Sequence, residues 1–186
     1  VIGNWLGDFF KWLENFGPWV VPTIVGATFP LMVTTGTHYG LVSIGINNRM
    51  TIGYDTIAQP GALASNVAQG GATLAAMFGA KDKKMKSIAV SSGISALLGI
   101  TEPAMFGVNL KMKYPFYAAM FGSAVGCAYV TLTNVQNISP GAAGIIGFVC
   151  IKSGGMLNYM IGILISLVVG FAVTMALSKH SKFKEV

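Results

Sequence analysis

The chain has 186 residues, about the size of one domain, with 53% hydrophobic residues, 10% charged residues and 24 glycines. Soluble domains carry about a quarter charged residues, so this balance excludes an ordinary soluble globular class and fits a helical membrane protein whose small residues let helices approach closely. The net charge of +6 does not point to nucleic acid, because Lys81, Lys83, Lys84 and Lys86, then Lys111 and Lys113, then Lys179, Lys182 and Lys184 form short clusters beside apolar runs rather than a continuous basic patch.

Residues 3–16 (GNWLGDFFKWLENF) place Trp5, Leu6, Phe9, Phe10, Leu13 and Phe16 at helical spacing, opposite Asp8, Lys11, Glu14 and Asn15. Residues 1–17 therefore read as an interfacial amphipathic helix, or as a soluble-type helix packed on another domain. Residues 18–46 are apolar but interrupted by Pro18, Pro22, Pro30, Gly26, Gly36 and Gly40. Broken helix at membrane depth persists only where protein or a water-filled cavity satisfies the freed backbone groups. Residues 47–62 form a polar break, and 63–80, barely long enough to cross, end at the first lysine cluster.

Residues 87–110 are bracketed by lysines at both ends. If both clusters face the cytoplasm, the segment is a re-entrant hairpin turning at Gly99-Ile-Thr-Glu-Pro103; a straight span is the alternative. Pro103 disfavours a helical conformation at Glu102, which suits a turn there. Residues 114–133 match the ~20 residues a span requires, and carry Gly122-x-x-x-Gly126, a close-packing pattern. A polar turn at 134–140 and a short glycine-rich apolar piece at 141–151 lead to a second span at 156–177, and 179–186 read as a basic cytoplasmic tail. The expected fold is all-α: a polytopic helical membrane protein with broken helices and re-entrant hairpins.

Ionisable groups inside a bilayer are costly and usually functional. Those away from the membrane flanks are Glu102, His38, Arg49 and Asp55. Glu102 and His38 each fall in an interrupted apolar segment (GITEP; TTGTHYG), the pattern that points to a transporter binding site. A carboxylate that accepts hydroxyl hydrogen bonds and an imidazole that both donates and accepts suit an uncharged polyhydroxyl ligand. The competing readings are structural: His38 as a satisfied buried histidine, and Glu102 as a partner of Arg49 or of backbone amides at the hairpin tip. Arg49 and Asp55 read as paired with each other or solvated. Asn47, Asn48, Asn66 and Gln69 are weaker candidates that read as helix-packing polar groups. Cys127 and Cys150 read as buried small apolar groups. With no Walker A loop, HExxH, GxSxG or metal-ligand spacing, the sequence calls for no cofactor, no metal and no catalytic residue.

At GITEPAMFGVNL the sequence resembles the signature of the sugar-translocating enzyme IIC of the bacterial phosphotransferase system, in the β-glucoside, sucrose and trehalose branch of the glucose superfamily. The resemblance continues through TTGTHYGLVSIGINN, GYDTIAQPGALASNVAQGGATLA, KDKKMKSIAVSSGISALLG and KYPFYAAMFGSAVG, covering roughly residues 18–177. It implies that 18–178 form the transport part of an enzyme IIC domain, moving as a rigid body, with Glu102 and His38 as the leading sugar ligands, Thr101 beside them and Asn48 as a further candidate. It also implies a multi-pass protein of the bacterial cytoplasmic membrane, a homodimer in its full-length form, taking up a sugar phosphorylated on entry by a partner enzyme IIB. Two departures stand beside it. The family's membrane domain is about twice this long, and Cys127 (VGCAY) and Cys150 (FVCIK) lack the Cys-x-Thr-Arg context of enzyme IIB. The chain opens on Val1, and is expected to be part of a longer transporter; a truncated paralogue acting as a membrane sensor or receptor is the alternative.

Overall fold

A computed structural model describes residues 16, 17, 19–141 and 143–179. The expected interfacial helix and most of the expected basic tail lie outside the described residues. Helix α1 (Val20–Thr35) is followed after a short break by α2 (His38–Ile52), then α3 (Ala58–Gly79) and α4 (Lys83–Leu97). A return limb follows, built from α5 (Glu102–Ala104), a π-helical turn (Met105–Asn109) and α6 (Leu110–Met112). Next come α7 (Tyr114–Leu132), 3-10 turns at Gly144–Cys150 and Ser153–Gly155, and α8 (Met156–Ser178). Tyr114–Leu132 and Ser153–Ser178 are long and apolar enough to cross a membrane, where the sequence placed its spans.

The prolines of the first apolar run do not break it as expected. Helix α1 continues through Pro30, whose missing N–H leaves the carbonyl four residues earlier, that of Gly26, without its helical donor. Ser123 of α7 supplies the replacement, its hydroxyl donating to the Gly26 carbonyl at 2.6 Å. Beside it the Cys127 thiol donates to the Pro22 carbonyl at 2.9 Å. The interruption in this run is instead at Gly36, whose φ of 74° ends α1 in a left-handed cap. The polar break is shorter than the sequence suggested. Asn47–Ile52 remain helical, Gly53 at φ 86° caps α2, and α3 begins at Ala58.

Helix α3 is the axis of the fold. Its small residues bury almost every turn and let α4, α7 and α8 close around it. A methyl group on Gly71 would meet the Leu167 carbonyl oxygen at 2.5 Å, and one on Gly170 the Ala68 carbonyl at 2.8 Å. The Gly122-x-x-x-Gly126 pair serves the α7–α8 contact in the same way: a methyl on Gly122 would meet the Gly170 amide nitrogen at 2.7 Å, and one on Gly126 the Gly162 carbonyl at 2.8 Å. Around this axis Leu63, Val67, Val130, Val135, Ile151, Tyr159 and Ile163 form the main apolar cluster.

The hairpin expected at 87–110 is present as α4, a turn, and the return limb, with Asp82 capping α4 by accepting from the Lys84 amide at 3.1 Å. The role expected of Pro103 is corrected. The turn is made by Gly99 at φ 101°, while Glu102 is itself helical and Pro103 stands in the first turn of the limb. A proline in a first turn removes only an N–H that has no intrahelical acceptor, so here it starts a helix rather than breaking one.

Ser123→Ala is expected to lower stability by about 1–3 kcal/mol, the cost of leaving the buried Gly26 carbonyl unpaired, read as earlier thermal unfolding in detergent. In a Pro30→Ala background, where residue 30 again donates to Gly26, the same substitution is expected to be nearly neutral. Equal losses in both backgrounds would mean that Ser123 does not compensate the proline.

Candidate functional site

The ionisable residues separate into a structural bracket and open groups. Asp55 is fully buried at the start of α3. Its Oδ1 accepts from the amides of Ile57 at 3.1 Å and Ala58 at 3.2 Å, and its Oδ2 from Gln59 at 2.7 Å. The carboxylate thus satisfies the first-turn donors of α3 and lies at the positive end of its dipole. Asn48 donates to Oδ1 at 3.1 Å, and Arg49 Nη1 lies 3.9 Å from Oδ2. The same Nη1 donates to Asn137 Oδ1 at 2.9 Å. Asn137 and Asp55 also exchange backbone hydrogen bonds, at 2.8 and 2.9 Å. The mutual pairing read from the sequence for Arg49 and Asp55 is therefore observed, and the Asn48 side chain is engaged in it.

Glu102 is placed differently. It opens the return limb and is exposed, and among the described residues its carboxylate enters no hydrogen bond or ion pair, with Arg49 or otherwise. A carboxylate in the first turn of a helix is favoured by the dipole. Thr101, buried before it, accepts from the Met105 amide through its carbonyl at 2.8 Å. Ser95 fixes the tip from within the hairpin: its hydroxyl donates to the Ile100 carbonyl at 3.0 Å, and its carbonyl accepts from the Ile100 amide at 3.0 Å.

The tip also lies against residues 143–144. A methyl on Gly99 would meet the Ala143 carbonyl carbon at 2.8 Å, and a methyl on Gly144, itself at φ 61°, would meet the Gly99 amide nitrogen at 2.7 Å. Backbone here touches backbone. The Gly144 carbonyl in turn accepts from the buried Tyr159 hydroxyl at 2.6 Å.

His38 is the first residue of α2, just after the Gly36–Thr37 break. Its ring lies 4.2 Å from that of Tyr39 and edge-on to Phe29 at 6.1 Å. Its buried Nδ1 makes no hydrogen bond among the described residues. Among the described residues no hydrogen bond or ion pair joins His38 to Glu102. Asn66 and Gln69 are buried in α3 as packing polar groups. Thr73, one turn beyond Gln69, donates to Asn109 Oδ1 of the π-turn at 2.9 Å.

The chain matches the family model of the phosphotransferase system EIIC component over residues 1–123. It is 45% identical over 170 residues to the sucrose-specific EIIBC component of Staphylococcus xylosus, covering 88% of this chain and 35% of that protein. With the sucrose-specific EIIBC component of Vibrio alginolyticus it shares 42% over 185 residues, 98% of this chain and 39% of the relative. With the β-glucoside-specific EIIBCA component of Bacillus subtilis it shares 36% over 173 residues, 92% and 28%. The chain belongs to the phosphotransferase EIIC family. It spans roughly a third of the length of these relatives, and no solved structure matches it.

In this EIIC chain both cysteines are buried, as their apolar contexts indicated. The sequence missed Asn137, Gly144 and Tyr159. Each acts on the bracket or the tip through contacts from distant parts of the chain, and none has a charge or motif to mark it. The signal available for Gly144 was its place in a glycine-rich apolar piece too short to cross.

Asp55→Ala is expected to destabilise the protein by roughly 3–5 kcal/mol, the usual consequence of removing one member of a buried pair and leaving the other uncompensated. Adding Arg49→Leu is expected to restore part of the loss, since the stranded guanidinium is then gone. Thermal unfolding of both variants measures this; a double variant less stable than the sum of the single losses would contradict the bracket.

Proposed function

We propose that this chain is the sugar-binding and translocating part of an EIIC permease, embedded as a multi-pass unit in the bacterial cytoplasmic membrane. In this reading it works with an EIIB phosphoryl donor that phosphorylates the sugar on entry, and the complete protein is a homodimer. The observation that carries the reading is Glu102: an exposed carboxylate, unpaired among the described residues, at a hairpin tip in a chain of the EIIC family. A charge left without donors at membrane depth is expensive, and sugar hydroxyls are donors. His38, with a ring nitrogen that no group among the described residues satisfies, is the second ligand, and Thr101 borders the first. Asn48, tied to Asp55, is the least available of the proposed ligands. The sucrose and β-glucoside specificities of the relatives support disaccharides and β-glucosides as the substrate class.

Charge-assisted hydrogen bonds are roughly twice as strong as neutral ones. In the complete permease, Glu102→Gln is expected to insert normally, lose at least about tenfold in sugar affinity, on the order of 1.4 kcal/mol, and stop phosphorylation-coupled uptake. Calorimetry on purified protein and uptake at matched expression test this. A variant that binds and transports like the parent would reduce Glu102 to a helix-start residue. His38→Ala removes one neutral hydrogen bond and should cost about 0.5–1.5 kcal/mol in binding; unchanged affinity would make the histidine structural.

The hairpin reading has its own test. Cysteines at Lys84 and Lys111 are expected to react with an impermeant reagent from the cytoplasmic side only. Labelling of the two from opposite faces would replace the re-entrant hairpin with a span.

A further inference from the structure

We infer that Tyr159 is a positioning residue for the Glu102 carboxylate, acting through Gly144 and Gly99. This rests on the reading of Glu102 as a sugar ligand. Because the carboxylate has no protein partner among the described residues, its location is that of the backbone beneath it. The Ser95 bonds to Ile100 hold that backbone to the end of α4. Leu97 ties the base of the tip to Gly70 of α3, and the tip itself meets the rest of the protein at the contact of Gly99 with Ala143 and of Gly144 with Leu97 and Gly99, where neither glycine leaves room for a side chain.

The segment carrying Gly144 is fixed in turn by Tyr159. Its hydroxyl donates to the Gly144 carbonyl, and its ring is fully buried in the main apolar cluster among Leu63, Val67 and Val130. Phenylalanine would fill that place equally well, so packing does not account for the hydroxyl; the bond to Gly144 does. Tyr159 lies in the first turns of α8, the longest of the apolar helices. A membrane-spanning helix is thereby connected, through one hydrogen bond and a glycine-on-glycine contact, to the residue before the ligand loop. Ligand groups must be held within about half an ångström of their productive geometry; Leu97, Ala143 and Ile145 pack on the same apolar cluster, and the Tyr159 hydrogen bond adds a directional link from α8 to this segment.

The test is made in the complete permease. Tyr159→Phe keeps the ring and removes the bond, and is expected to weaken sugar binding by about fivefold to tenfold. Ile100 is exposed at the tip; an Ile100→Cys reporter should react several-fold faster with maleimide when Tyr159 is replaced. In a Glu102→Gln background, Tyr159→Phe should cost no further affinity, because the group it positions has already lost its charge. A generally destabilising substitution would instead lower affinity equally in both backgrounds, and that additivity would overturn the proposal. So would parent-like affinity and reporter reactivity for Tyr159→Phe. Should Glu102→Gln alone bind sugar like the parent, the sugar-site reading fails first, and the reporter then decides separately whether Tyr159 holds the tip.

Discussion

A backbone group that loses its helical partner inside a bilayer has no water to turn to, and this constraint organises the chain. The irregularities described occur where a nearby side chain or another segment brings a donor or acceptor. The Gly26 carbonyl, orphaned by Pro30, receives Ser123. The first-turn amides of α3 receive Asp55. The tip of the hairpin folds back on Ser95. Breaks are therefore found where such a partner is at hand, and Glu102 and His38 stand beside two of them.

The helices between the breaks follow a different rule. Around α3 the contacts are made by glycine, alanine and serine, and in several of them a backbone carbonyl of one helix lies where a neighbour's side chain would be. Lipid tails are as apolar as leucine, so association inside a membrane depends on close van der Waals approach rather than on burial alone. The result is a tightly interlocked body of α3, α4, α7 and α8, to which the hairpin tip is joined at Gly99. Helix α2 is outside this body. Its attachment is apolar at Leu41, which packs with Val25, Phe29 and Ala58, and polar through Asn48, Arg49, Asp55 and Asn137.

What the sequence disclosed follows from which signals are local. The two spans, the hairpin and the Gly122–Gly126 contact were legible because apolar length, lysine clusters and glycine spacing are written in consecutive residues. The pairing of Arg49 with Asp55 was also within reach, since six positions separate them. Pro103 was misjudged because a proline's effect depends on its position in the turn. In the first turn it is compatible with helix; later it is not. Pro30 was misjudged for the complementary reason: the helix survives by virtue of a serine 93 positions later, which no local pattern reveals. Glu102 and His38 stood out as candidates through their chemistry, but that the carboxylate has no partner among the described residues, and that the Tyr159 hydroxyl reaches the Gly144 carbonyl, depended on contacts across the fold.

The way α2 is mounted makes it a lever. Its polar fastening is at Asn48 and Arg49, and only Leu41 and Gly45 are fully buried along its length, while Tyr39, Val42, Ile44, Ile46, Met50 and Ile52 lie open. Leu41 is an apolar contact without a preferred direction, so it resists rotation far less than it resists separation. From Arg49 to His38 the arm measures about 16 Å at the rise of an α-helix. Swinging it by about 10° about the fastening would carry the imidazole roughly 3 Å, while Glu102 stays with the tip. The place of the imidazole relative to Glu102 would thus follow from an angle at the fastening, and could change without rebuilding the hairpin tip or the Asp55 cap.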